Sequence, residues 1–181
     1  NQARGFAKSL GDRLPSSSSV GFPKRVREAK KGEIFPGLET LLQLIETLTA
    51  AIGDMDREIE LLCREKYPET KLLRQIKGVG PLTALCFLLT LEDPHRFKKS
   101  RSVGAYLGLR PKQRDSGEQQ PQLRITKSGD EMLRRYLVNG SQYILGPFGP
   151  DTQLRRVGLR LAERGGRAAK KRAIIAVAPR L

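Results

Sequence analysis

Ser116 stands in a polar stretch together with Arg110, Lys112, Arg114 and Arg124. A hydroxyl held among fixed cations is suited to attack on a phosphodiester, because positive charge stabilises what builds up on the phosphoryl oxygens. No general base is evident beside it, and the adjacent Asp115 is expected to point away. Ser128, the other serine of the region, has a structural duty instead. Ser128-Gly-Asp-Glu131 reads as a capping box, with Ser128 closing the start of a helix and Glu131 reaching back. Ser116, beside Gly117, has no such duty.

A second element suited to phosphate is the run from Thr70 to Leu91, which reads as helix, Gly78-Val-Gly80 hairpin and helix. Gly78 and Gly80 can take positive φ and let a backbone approach closely. Pro81 pre-sets the next helical turn, Val79 is expected to point inward, and Ala84 lets the two helices cross tightly. Free amides at that helix start, beside Lys77, form a ready anion site. This is a helix-hairpin-helix pattern, although a tight turn used only for packing fits the same residues.

These sites need elements to hold them. Val103, Tyr106 and Leu107 give the buried face of a short helix over 99–107, closed by Gly108. Beyond the serine stretch, Met132, Leu133, Tyr136 and Leu137 are expected to face inward, leaving Lys127, Arg134 and Arg135 exposed. Upstream, Leu38, Leu41, Ile45, Leu48, Ile52, Met55, Ile59 and Leu62 keep 3-4 spacing without a break. That stripe suits a coiled coil between copies of the chain through residues 38–62, or packing on the protein's own helices. Residues 1–37 read as a short helix near Ala3–Leu10 and a basic linker, either a solvated tail or a phosphate-tracking arm. From Gln153 the chain is helical and basic, with Gly165-Gly166 separating two helices and Pro179 ending the second.

The charge is lopsided. Of 34 Lys+Arg and 19 Asp+Glu, residues 1–97 carry 15 and 13, whereas residues 98–181 carry 19 and 6. A net +13 on the C-terminal half (19 − 6) points to a polyanion, since counterion release drives binding to phosphate backbones. A membrane surface is disfavoured because no basic amphipathic helix carries aromatic anchors, and no apolar run reaches the ~18 residues of a span. Cys63 and Cys86 lie in apolar patterns outside any CxxC or Cys/His cluster, and His95 is the only histidine. Reduced thiols in a cytoplasmic protein are expected, and a zinc site is not.

Taken in order, several motifs resemble one known family. They are Asn1-Gln-x-Arg-Gly, Gly78-Val-Gly-Pro-Leu-Thr-Ala, Ala105-Tyr-x-Gly-Leu-x-Pro, Ser116-Gly, Ile125-Thr-Lys-Ser-Gly and Leu133-Arg-Arg-Tyr-Leu. Together they resemble the C-terminal, serine-bearing domain of DEDD (RuvC-like) insertion-sequence transposases, the bridge-RNA-guided recombinases. The resemblance implies a nucleophilic Ser116, DNA strand exchange guided by a structured RNA, and protomers paired through a coiled coil. It also implies that the Gly78–Gly80 hairpin and Lys127 help hold nucleic acid. The family's Mg²⁺ is held by four carboxylates of a RuvC-like half that this sequence lacks. Pro179-Arg180 also stands where the family continues a helix. A fragment without its metal site, inactive alone, is therefore expected.

The expected fold is all-α, a long coiled-coil-type helix followed by a compact helix-hairpin-helix-like domain. Its parts are a basic segment over 1–35, the long helix over 36–67, the serine-bearing domain over 70–145 and a basic extension over 150–181. The expected nucleic-acid contacts are Lys77, Gly78, Gly80, Arg110, Lys112, Arg114, Arg124, Lys127, Arg134 and Arg135. A non-catalytic helix-hairpin-helix module that binds DNA or RNA is the rival reading. A purely structural coiled-coil partner accounts for the heptads but leaves the +13 half without a role.

Overall fold

The computed structural model describes residues 1–31, 33–114, 123–163, 165–166 and 168–181. Among them the chain is all-α, as expected. Its helices are α1 (Gln2–Ser9), α2 (Phe22–Lys30), α3 (Pro36–Glu65), α4 (Thr70–Leu73), α5 (Pro81–Leu91), α6 (Arg101–Tyr106), α7 (Glu131–Leu145), α8 (Gln153–Glu163) and α9 (Ala169–Val177). Short 3₁₀ turns cover Pro94–Arg96 and Ala178–Arg180. The described residues contain no strand, only an isolated antiparallel bridge between Pro111 and Ile125. The chain divides into two compact units, Asn1–Glu58 and Ile59–Leu181.

The first unit closes around Ala3, Ala7, Leu14, Phe22, Val26, Leu38 and Leu42. This corrects the expectation of a linker before α3, because residues 22–30 form a helix with a buried face. Phe22 and Val26 lie one turn apart and are both buried, and Pro23 occupies the first turn where its missing N–H costs nothing. The basic residues that suggested a mobile arm are partly paired. Arg27 holds Glu39 at 2.7 Å and Glu46 at 2.5 Å. Those hydrogen bonds keep both carboxyls below the usual carboxylate range and raise the guanidinium's own pKa. Lys30 pairs with Asp12 at 2.5 Å.

Helix α3 carries the heptad stripe along its length, but not uniformly buried. Leu38 is buried and Leu41 and Ile45 are half-buried against α1 and α2. Farther along, Leu48, Ile52 and Met55 are 53%, 59% and 61% exposed.

In the second unit α7 is the central element, packed by α5, α8 and α9. Its core contains Leu107, Leu109, Leu133, Leu137 and Ala178, with Phe87, Val103 and Ile125 packed around them. Met132, expected inside, is instead 56% exposed. It directly precedes Leu133, and successive residues on a helix point about 100° apart. Gly165 and Gly166, both at positive φ, separate α8 from α9 as expected. Arg155 of α8 donates from Nη1 to the carbonyls of Ile144 and Gly146, the latter at 2.6 Å. It thus satisfies acceptors that the end of α7 would leave open. Cys63 is buried with its Sγ 3.7 Å from the Pro81 carbonyl, and burial pushes the Cys86 thiol up.

Candidate nucleic-acid interface

Ser116 and its neighbours 115–122 lie outside the described residues, but both sides of that stretch are described. The two sides pair. Lys112 donates its backbone N–H to Arg124 O at 2.9 Å, Thr126 donates to Arg110 O at 2.9 Å, and Lys127 donates to Gly108 O at 3.0 Å. Between them Pro111 faces Ile125. Along an extended pair successive side chains point to opposite faces. Ile125 packs on the hydrophobic core, so Arg110, Lys112, Arg124 and Thr126 share the other, outward face. All four are exposed, as is Arg114. Lys112 stands directly across from Arg124, and like charges in that position destabilise a pair. A polyanion laid on this face would remove the repulsion.

What fixes the stem is an interlocked pair of turns. Gly108 has φ +66°, and a Cβ there would stand 2.3 Å from the backbone of Ser128. Gly129 has φ +75°, and a Cβ there would stand 2.0 Å from Tyr106 O. Lys127, itself at φ +60°, is exposed at the end of the ladder. The expectation that Arg134 is exposed is corrected. It is 9% exposed, and its Nη1 donates to Ser128 O at 2.9 Å and Leu107 O at 3.1 Å. Its charge serves the carbonyls of the two turns. The side chain lies back over the preceding turn of α7, as long helical side chains do. Arg135, one position on, is exposed as expected.

The capping box is also corrected. The residue that caps α7 is Asp130, whose Oδ1 accepts from Leu133 N at 2.6 Å. Ser128 instead pairs its hydroxyl with Thr126 Oγ1 at 3.1 Å. Gly129 at positive φ shifts the entry of the chain, so the cap falls two residues later than the spacing suggested.

At Gly78-Val-Gly80 the chain turns after only one helical turn, α4. Gly78 takes φ +91°, and Val79 N donates to Ile76 O at 3.1 Å. Val79 is half-buried and Ala84 fully buried. The two glycines differ in role. Gly78 abuts α7, where a Cβ on Gly140 would stand 2.6 Å from Gly78 O. Gly80 has no neighbour within 4 Å of a Cβ position and starts α5 without a capping side chain. Lys77 beside them is exposed.

Ladder and hairpin are therefore tied to one helix. Arg134 anchors the ladder near the start of α7, and Gly140 with Ile144 anchors the hairpin near its end. At 1.5 Å per residue those anchors lie roughly 9–15 Å apart along the axis. Sequence reading passed over a further cationic surface, Arg96 with Lys98, Lys99 and Arg101. Its signal was a basic run interleaved with Phe97 and Tyr106.

Residues 70–153, which include the hairpin, the ladder and α7, match the model described as Transposase IS116/IS110/IS902 family. The chain is 32% identical over 180 residues to a protein named transposase for insertion sequence element IS1111A, from Coxiella burnetii; the match covers 97% of this chain and 46% of that protein. It is 33% identical over 117 residues to a probable family 20 transposase of Pseudomonas aeruginosa, covering 65% of this chain and 33% of that one. It is 30% identical over 142 residues to a protein named transposase for insertion sequence element IS1328, from Yersinia enterocolitica, covering 76% of this chain and 42% of that one. The chain spans less than half the length of these relatives. By residues 70–153 the chain is thus similar to the IS116/IS110/IS902 transposases.

Proposed function

We propose that this chain is part of an insertion-sequence transposase, binds DNA and supplies Ser116 as the nucleophile of strand exchange. The observation that carries the reading is the paired stem, which sets Arg110, Lys112 and Arg124 on one outward face at the base of the Ser116 stretch. The bond attacked is a phosphodiester of DNA. Ser116 Oγ bonds to phosphorus, the bond from phosphorus to one sugar oxygen breaks, and the hydroxyl proton passes through solvent to that departing oxygen. The phosphoserine linkage keeps the bond energy for religation. The three cations, with Arg114, stabilise the transition-state charge by an amount on the order of several kcal/mol.

Among the described residues no group of His, Cys, Asp and Glu could hold a metal ion. The chain's own residues bind and orient the phosphate. A structured guide RNA is a further polyanion for the same surfaces. Pairing of protomers through the exposed Leu48, Ile52 and Met55 is part of the same reading.

A strand-cleavage assay on the whole transposase carrying Ser116→Ala tests this. Loss of the covalent protein–DNA species is expected, and cleavage at the unaltered rate would refute the nucleophile. One observation favours the rival reading, a non-catalytic binding module. Gly80 and the uncapped start of α5 leave room for a phosphate regardless of Ser116. In that case Ser116→Ala leaves both binding and cleavage as they were.

A further inference from the structure

After α5 the chain turns through Glu92 and Asp93 into the 3₁₀ turn Pro94–Arg96, then reaches α6 at Arg101. The connector is built rather than loose. Leu91 is buried at its start, Asp93 Oδ1 accepts from His95 N at 2.8 Å, and Ser102 N donates to Lys99 O at 2.9 Å. Phe97 is half-buried and meets Tyr106 edge to face, with ring centroids 5.5 Å apart. The Arg96 guanidinium lies 5.2 Å from the Phe97 ring and 5.0 Å from the Tyr106 ring. Contact through the π-face positions a guanidinium while leaving its in-plane N–H groups free to donate.

Arg96, Lys98, Lys99 and Arg101 are all exposed. Among the described residues none of them has a carboxylate partner. Of the two nearby acids, Asp93 is engaged in its turn and Glu92 sits at φ +56°. Four like charges within six residues repel one another, and none of them is held in an ion pair among the described residues. The same segment adjoins the stem, because Tyr106, whose ring lies against Arg96, also sets its carbonyl at the close approach of Gly129.

We propose that Arg96, Lys98, Lys99 and Arg101 form a second phosphodiester-binding edge, with Arg96 held against Phe97 and Tyr106 to present its N–H groups to a phosphate. The choice of a nucleic acid as partner rests on the function proposed above, whereas the edge is distinct from the Ser116 stem. Its ligand is the sugar–phosphate backbone, which DNA and RNA share.

The test is a salt titration of binding by the 181-residue chain to a DNA duplex and, separately, to an RNA hairpin of similar length. Three variants are compared with wild type: Lys98→Gln/Lys99→Gln/Arg101→Gln, Arg96→Lys, and a control that removes equal charge elsewhere, Lys8→Gln/Arg13→Gln/Lys31→Gln. Circular dichroism verifies that each is folded. For every duplex phosphate that a variant no longer neutralises, the slope of log K against log salt falls by about 0.9. The triple variant is expected to lose two to three such units, the control clearly less, and Arg96→Lys to bind several-fold more weakly at unchanged net charge. Weakening toward DNA alone, RNA alone or both supports the edge and identifies its partner. Equal effects of the triple variant and the control, or no effect on either ligand, would overturn it. Failure of the wild-type chain to bind either ligand at low salt would overturn the edge and the proposed function together.

Discussion

Arg134 and Arg135 are neighbours in sequence and opposites in role. Arg134 is buried and donates to carbonyls from two turns, so its removal orphans acceptors inside the fold. Hydrogen bonds to a charged donor contribute on the order of 1.5–3 kcal/mol each. Arg134→Ala is expected to lower unfolding free energy by roughly 2–4 kcal/mol. Arg134→Lys should fare little better, since an ammonium on a flexible stem cannot span both turns. Arg135→Ala should shift stability by no more than about 0.5 kcal/mol while weakening nucleic-acid binding. Urea denaturation of the three variants checks the first two expectations and a filter-binding assay the last. Sequence alone showed both arginines as charge beside an apolar stripe. It could not show that Gly108 and Gly129 bring carbonyl oxygens over one of them, because that depends on two turns meeting in space. The same displacement moved the cap from Ser128 to Asp130.

At the scale of elements, the two glycines of the hairpin differ in their surroundings. Gly78→Ala places a side chain at φ +91° and 3.0 Å from Gly140 O, so it should destabilise by at least about 1–2 kcal/mol. Gly80→Ala meets open space at negative φ and should leave the melting temperature within a few degrees. Its methyl group would still hold a phosphate away from the amides of α5, so affinity should fall. Equal loss of stability in both variants would show that Gly80 serves packing alone. The glycine spacing was legible in sequence, but which glycine faced inward was not, since both meet the same local rule.

Helix α2 gives the complementary lesson. Its apolar positions, Phe22 and Val26, are too few to stand out among lysines and arginines, and its partners lie on α3. Glu39 and Glu46 are held below the ordinary carboxylate value by hydrogen bonds from Arg27. Carboxyls depressed in the folded state add stability above the unfolded value near 4.5, and lose it as pH falls through the folded value. Hydrogen exchange should show residues 22–30 opening below about pH 4.5 before the rest of the first unit. Glu39→Gln/Glu46→Gln should open the same segment already at pH 7.

Across the whole molecule, two features read directly from sequence persist: the all-helical architecture and the long stripe on α3. The stripe divides into a buried and an exposed stretch. Leu38 is buried, beside the fully buried Leu42 just off the stripe, whereas Leu48 and Ile52 are exposed. Leu42→Ala should cost about 2–5 kcal/mol as a cavity in the first unit's core. Leu48→Asp/Ile52→Asp should leave the fold intact and, if copies pair through this face, shift the species seen by analytical ultracentrifugation to monomer. An unchanged sedimentation profile would separate the stripe from self-association. Periodicity could not divide the stripe this way, because a helix buried by its own chain and one buried by another copy obey the same spacing.

Helix α7 acts as a ruler. If both grips bind nucleic acid as proposed, a rigid rod with one near each end would fix the distance at which it is held, here roughly three to four base-pair steps at 3.4 Å each. Lengthening the rod between Leu137 and Gly140 by one full turn would keep each grip's chemistry but move them about 5.4 Å out of step. Substrate choice would then be set by a length rather than by any single side chain.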